Sequence, residues 1–311
     1  MRSRALSLAA VLAALLGMTS VVLIANPVAA WFDGAAPAVA SAPVAPEKKV
    51  KDLTIESMSP SDGTYGTGIV IRVRFNREVP EAVRDAALSH VTITTSKSIG
   101  KAGWAWVDDR NAVYRPKEFW PAGTKVAVDT YKTMDVIPTT RSYDLRWVAD
   151  AQRDFRIGRS QVIKVDSATH MAKVVRNGKT IRTMPIALGK PGWETRSGIK
   201  VLMESYRVKE MTGESINAEE DYTLDVPYAI RMTNSGEFIH AAPWAAGNLG
   251  RVNGSHGCTN LSMSDASWLF SNHLYGDPVI TKGTGRPMET YNGAGGVWNV
   301  SWSKWVKGDA S

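Results

Sequence analysis

Ile69-Val70-Ile71-Arg72-Val73-Arg74-Phe75 alternates with a period of two, so that Ile69, Ile71, Val73 and Phe75 fall on one face of an extended chain and Arg72 and Arg74 on the other. Successive side chains of a strand point to opposite faces, and this alternation marks a strand buried on one side. Similar short runs recur at 91–95, 104–107 and 125–128. Turn residues separate them at Pro60-Ser61-Asp62-Gly63, Asp108-Asp109-Arg110-Asn111 and Pro121-Ala122-Gly123. The spacing predicts a small antiparallel sandwich of immunoglobulin-like size over residues 52–149. Gly63, Gly66 and Gly68 read as turn glycines, because no helix pattern follows them as a phosphate-binding loop requires.

A second β-rich unit is expected over 150–283, with strands at 161–165, 171–176 and 179–187 and a tight hairpin turn at Asn177-Gly178. Between Ser205 and Gly236 the alternation weakens and charged residues accumulate, among them Lys209, Glu210, Glu214, Glu219, Glu220 and Asp221. This stretch reads as a long excursion of the kind that forms lids. Ser262-x-x-Asp265, followed by Ala266, Trp268, Leu269 and Leu274 at helical spacing, predicts a helix that Gly276 stops. The fold class is mainly β, with one or two short helices. A Trp-rich C-terminal extension, 284–311, carries Trp298, Trp302 and Trp305, a stripe expected to pack on this second unit.

The N-terminus has a different composition. Arg2 and Arg4 precede an apolar stretch from Ala5 to Ala25, with small residues at Val28-Ala29-Ala30. Residues 1–30 read as a signal peptide, or as an uncleaved membrane anchor, since about 20 apolar residues can span a bilayer. The expected location is the cell envelope, membrane-anchored or secreted. Residues 31–51, rich in Ala, Pro and Val, read as a linker. The chain has 311 residues and a formal charge of +7, which falls to +5 without Arg2 and Arg4. The remaining basic residues are scattered among acids, so no nucleic-acid partner is inferred.

One cysteine, Cys258, stands in Ser255-His256-Gly257-Cys258-Thr259-Asn260, and His240 ends the strand-like run Glu237-Phe238-Ile239-His240. A single thiol in an exported protein forms no internal disulfide. It is a buried inert group, an intermolecular link or a nucleophile. The thiolate is the attacking species, and an imidazole or a helix N-terminus nearby is expected to lower the thiol pKa. Gly257 lets the backbone approach a substrate and lets N–H groups converge on an oxyanion. His90, His170 and His273 occur singly, without metal-ligand spacing, and no metal or cofactor is expected.

His240, the fourteen-residue gap to Ser255 and the segment through Asn260 resemble the signature of the L,D-transpeptidases, peptidoglycan cross-linking enzymes with a YkuD-type catalytic domain. The similarity extends to Ser235-Gly236, Ala242-Pro243-Trp244, the segment from Tyr222 to Val226 and the tail from Trp298 to Trp305. It covers roughly 150–308, and the upstream sandwich resembles the immunoglobulin-like domain of actinobacterial members. Thr259 departs from the apolar residue usual there, a change expected to affect packing rather than chemistry.

The resemblance implies that Cys258 attacks a tetrapeptide donor stem, releases D-alanine and passes the acyl group to the diamino acid of an acceptor stem. His240 is then the general base, oriented by the carbonyl of Ala241. The N–H groups of Gly257 and Cys258 serve the oxyanion, with Tyr222 as a further donor. Ser235, Gly236, Ser255, His256 and Asn260 line the donor groove, and Trp244 borders the site. Carbapenem β-lactams are the implied inhibitors. Two rival readings stand beside this one: an L,D-carboxypeptidase or endopeptidase using the same cysteine, and a non-catalytic wall-binding protein. Among the residues, Ser255 and Asn260 read equally well as turn and capping groups.

Overall fold

The computed structural model describes residues 47–214, 222–308 and 310. The segment expected to be a signal or anchor, linker residues 31–46 and residues 215–221 of the 205–236 excursion lie outside the described residues. No helix among the described residues is long and apolar enough to cross a membrane.

The first half is the expected sandwich. One sheet pairs Ile55–Ser59, Ile71–Phe75, Asn111–Pro116 and Ala102–Trp106, and a second pairs Gly63–Tyr65, Ala151–Ile157, Lys125–Thr130 and Val91–Thr95. The 71–75 alternation is realised, with Ile71, Val73 and Phe75 fully buried and both arginines half-buried. Phe75 stacks on Trp106 with centroids 5.4 Å apart, and the buried indoles of Trp120 and Trp147 donate to the carbonyls of Ile69 and Tyr131.

Three expected boundaries move. Lys49–Leu53 pairs in parallel with Tyr143–Trp147, so the strand structure begins inside the stretch assigned to the linker. Ala151–Ile157 pairs with Lys125–Thr130 and with Gly63–Tyr65, so by hydrogen bonding it belongs to the first sandwich rather than to a unit starting at 150. The 205–236 excursion is regular at both ends, where Ser205–Thr212 and Thr223–Arg231 form an antiparallel ribbon. Arg207, Glu210 and Asp225 are exposed, Lys209 and Arg231 are half-buried and Val208 is exposed, so hydrophobicity does not alternate along the ribbon and its period was hidden.

The second half stacks two sheets. A five-stranded sheet runs Lys179–Pro185, Met171–Arg176, Gln161–Asp166, Pro278–Lys282, Gly198–Val201. A four-stranded sheet runs Ser205–Thr212, Thr223–Arg231, Phe238–Ala241, Thr259–Leu261. Ile163, Val174, Met184, Ile230, Ile239, Leu261 and Leu269 fill a single core. The expected hairpin turn is present, with Asn177 and Gly178 both at positive φ (49° and 80°), as such turns require. The helix spans Met263–Asn272, and the Ser262 hydroxyl caps it by accepting from the Asp265 N–H.

The tail packs against both halves, not against the second alone. Val297, Trp298, Val300 and Trp305 share one apolar cluster with Val70 and Val113 upstream and Val201 and Met203 downstream. The halves also meet through backbone. The N–H of Gly66 donates to the Tyr275 carbonyl (2.7 Å), and that of Gly68 to Gly276 (2.8 Å). These are contact glycines, not only turn residues: a Cβ on Gly66 would lie 2.1 Å from the Asp277 nitrogen. Backbone cannot yield as a flexible side chain does. Gly66→Ala is therefore expected to cost about 3 kcal/mol or more in urea unfolding, whereas Gly103→Ala, with nothing near its Cβ, should stay within about 0.5 kcal/mol of the parent.

Candidate active site

Phe238–Ala241 and Thr259–Leu261 are adjacent parallel strands, with His240 opposite Asn260. Cys258 directly precedes the second strand, so the pairing brings it beside the strand that carries His240. Ile239 and Ala241 point into the core. Phe238 and His240 belong to the opposite face, toward a cavity of about 750 Å3 that Cys258 also lines.

The imidazole is buried, and its Nδ1 lies 2.9 Å from the Ala241 carbonyl oxygen, which can only accept. Nδ1 therefore carries the proton and Nε2 holds the lone pair. Trp244, half exposed at the rim, lies nearly parallel to the His240 ring at 6.1 Å. Burial pushes the Cys258 thiol up to about 12 and His240 down to about 4. Smaller effects on the thiol come from the Phe238 N–H, Lys200 and Arg231, which lower it, and from Glu237, which raises it. The expected lowering of the thiol pKa is thus reversed. Cys258 is followed by a strand and not by the helix N-terminus, and His240 is neutral at physiological pH.

Both shifts have the same cause, burial, and both work against a resting thiolate–imidazolium pair, so the neutral forms are favoured at rest.

Ser255 fastens the turn: its hydroxyl donates to the Cys258 carbonyl (2.7 Å) and accepts from the Gly257 N–H (3.1 Å). Gly257 is buried at φ +110°, a conformation that requires glycine. Because its N–H is engaged by Ser255, it is not a ready oxyanion donor, which revises the expectation for this residue. Thr195 Oγ1 donates to the Gly257 carbonyl (2.8 Å).

Tyr222, Ser235, Gly236, Trp244, Ser255, His256 and Asn260 all line the cavity with His240 and Cys258. His256 lies between Tyr222, stacked on it at 5.5 Å, and the edge-on ring of Trp193 at 5.2 Å. Ser235 is held by Asn292, which accepts from its N–H (2.9 Å) and donates to its hydroxyl (2.8 Å). The Gly236 carbonyl faces the sulfur at 3.8 Å. Asn260 joins its backbone to Ala187, while its Oδ1 is buried without a partner among the described residues.

Trp193, Arg196, Lys200, Glu237 and Asn292 escaped the sequence reading. One signal was available: Glu237 opens a run whose other members are all apolar or catalytic in type, and a carboxylate so placed needs a buried cation.

A family model of the L,D-transpeptidase catalytic domain (YkuD) matches residues 160–281, and one of a bacterial Ig domain matches 44–136. L,D-transpeptidase 2 of Mycobacterium tuberculosis (strain CDC 1551 / Oshkosh) is 32% identical over 266 residues, covering 83% of this chain and 63% of the relative. The chain thus spans less than two thirds of that protein. L,D-transpeptidase 1 of M. tuberculosis (strain H37Rv) is 30% identical over 249 residues, covering 79% of this chain and 90% of the relative. Among solved structures, an L,D-transpeptidase, LdtMt1, in complex with imipenem superposes with a TM-score of 0.62 at 29% identity. That match covers 76% of this chain and all of the other.

Two outcomes follow from the geometry. Thr259 is fully buried and its hydroxyl has no partner among the described residues, so Thr259→Val is expected to raise stability by about 1 kcal/mol in chemical unfolding. The resting protein should show no thiolate absorbance at 240 nm at pH 7. Thiolate absorbance there in the parent, absent from Cys258→Ala, would refute the neutral pair.

Proposed function

The chain belongs to the L,D-transpeptidase family, and we propose that it is an acyltransferase joining peptidoglycan stem peptides through a thioester on Cys258. The observation that carries this reading is the pair of adjacent parallel strands that sets Cys258 and His240 on one cavity, with the His240 Nδ1 committed to the Ala241 carbonyl. Nε2 is left as the base. As the sulfur attacks the carbonyl of the third donor residue, Nε2 takes the thiol proton. The carbon–nitrogen bond to D-alanine then breaks, and the imidazolium returns the proton to the leaving amine. In the second half, the acceptor's diamino-acid amine attacks the thioester and forms the new amide. Its proton passes through His240 back to the departing sulfur.

Proton transfer and carbon–sulfur bond formation are coupled in this mechanism, because a free thiolate is too costly in the dry site. With Gly257 engaged by Ser255, the Cys258 N–H is the proposed main oxyanion donor, assisted by Tyr222. The unpaired Oδ1 of Asn260 offers an acceptor for a stem-peptide amide N–H, which favours a substrate role over capping. Ser235, Gly236 and His256 form the donor side, with Trp244 at its edge. Residues 1–30 would direct the protein to the envelope, as a cleaved signal or an anchor, with the following linker as a tether.

The base form of His240 exists above its pKa and is lost as pH falls through it. The acylation rate should therefore hold steady down to about pH 5 and drop near 4. A rate already halved at pH 6.5 would point to a different base.

Intact-mass measurement of the soluble portion with a tetrapeptide donor tests the reaction. The parent is expected to lose D-alanine and gain the tripeptide acyl mass, and to yield cross-linked product when a diamino-acid acceptor is added. Cys258→Ala should do neither. Adduct that resolves only to free tripeptide would make the chain a hydrolase, and no adduct would make it a binding protein. By the same chemistry a carbapenem should acylate Cys258 and leave Cys258→Ala unmodified.

A further inference from the structure

Beneath the turn at Gly257 and Cys258 lies a buried group of charges that the proposed reaction does not use. Lys200 is fully buried, and its Nζ donates to Glu237 Oε2 (3.0 Å) and to the Arg196 carbonyl (2.6 Å). Glu237, 3% exposed, accepts at Oε1 from the Arg196 N–H (3.0 Å) and from Arg196 Nη1 (2.9 Å). Glu289 closes the outer end on Arg196 Nε at 2.5 Å. A Cβ on Gly257 would lie 3.6 Å from Glu237 Cγ and 3.8 Å from its Oε1. The carboxylate is therefore packed against the residue that precedes the nucleophile. Thr195, next to Arg196, holds the Gly257 carbonyl from the same side.

Buried ions of this kind are poor stabilisers, since apolar residues of similar volume commonly serve as well. Their position gives them another use. We propose that Glu237 and Lys200 are positioning residues for the Cys258 sulfur, fixing the turn on which it stands and balancing the charge it experiences, with Arg196 holding the Glu237 carboxylate in place. The inference rests on Cys258 being the nucleophile. The charged groups acting on the sulfur are Glu237, which opposes a thiolate, and Lys200 and Arg231, which favour one. His240 on the neighbouring strand is neutral.

A structural prop and a charge balance differ in sign. Removing any member of a prop perturbs the turn in one direction, whereas removing opposite charges moves the sulfur in opposite directions. The test is the pH dependence of iodoacetamide alkylation of Cys258 in the whole folded domain pair, with thermal melting measured alongside. Glu237→Gln leaves the cations uncompensated, so the apparent thiol pKa should fall by about one unit. Alkylation at pH 7.5 should then rise about threefold, the tenfold gain in thiolate being partly offset by its lower nucleophilicity. Lys200→Met should slow alkylation by a similar factor, and Glu237→Asp should restore the parent profile.

Shifts of the same sign in both single variants, or unchanged alkylation with a lowered melting temperature, would overturn the proposal. Should a single variant fail to fold, Glu237→Gln/Lys200→Met removes one charge of each sign. Its alkylation is expected within twofold of the parent, and a tenfold departure in the folded double variant counts against the idea. Alkylation needs no acyl donor, so failure of the proposed reaction is read separately, as a parent protein that is alkylated at Cys258 yet never acylated.

Discussion

The parallel pairing of Phe238–Ala241 with Thr259–Leu261 is the constraint on which the site depends. Parallel neighbours need a crossover, commonly a helix of a dozen residues or more. Here the crossover is an irregular loop containing a 3-10 segment at Pro243–Asn248, and it survives because its backbone is stitched to a neighbouring segment. Gly250 donates to Ile186, Gly254 and Ser255 donate to Leu188, and the Lys190 N–H donates back to Ser255. All residues of both strands are buried. A one-residue slip would therefore exchange Ile239 for His240 at the cavity and bury an imidazole in the core. The core thus specifies the chemistry, because the side chains that cannot tolerate water fix which ones meet the cavity.

The same burial has an electrostatic consequence. A dry site strengthens every interaction with charge that appears during a reaction, but it disfavours charge at rest. Cys258 and His240 move apart in pKa because each prefers its neutral form when desolvated. The few permanent ions allowed nearby are paired: Glu237 with Lys200 and Arg196, and Arg196 again with Glu289. A stored thiolate would make the cysteine vulnerable to oxidation. A neutral pair that ionises only against a bound carbonyl avoids that exposure.

What could be read from the sequence follows from the range of the forces involved. The period of residues 69–75, the Asn177-Gly178 turn and the Ser262 cap depend on neighbours a few residues away, and each is visible as a local pattern. His240 and Cys258 were legible because the resemblance spans both and the gap between them. Glu237, Lys200 and Arg196 were not, since their partners lie 37 and 41 residues apart and no local period announces a buried ion pair. The contact role of Gly66 was hidden for the same reason: a glycine in a turn and a glycine beneath another backbone look alike until the second backbone, near Asp277, is in place.

The tail shows how far such long-range couplings extend. Arg115, 2% exposed, donates to the Val300 carbonyl (2.8 Å) and lies under the rings of Trp305, Trp298 and Trp302 at 4.3, 4.8 and 5.5 Å. Burial lowers its pKa only to about 10, so the guanidinium stays charged and each ring contributes roughly 0.5–2 kcal/mol. Arg115 belongs to the first sandwich, yet the segment it anchors carries Glu289 and Asn292, which hold Arg196 and Ser235 at the cavity. The immunoglobulin-like half is therefore coupled to the site in the second half. Through the tail it supports two residues of the site, and the two sandwiches have to be treated as one mechanical unit.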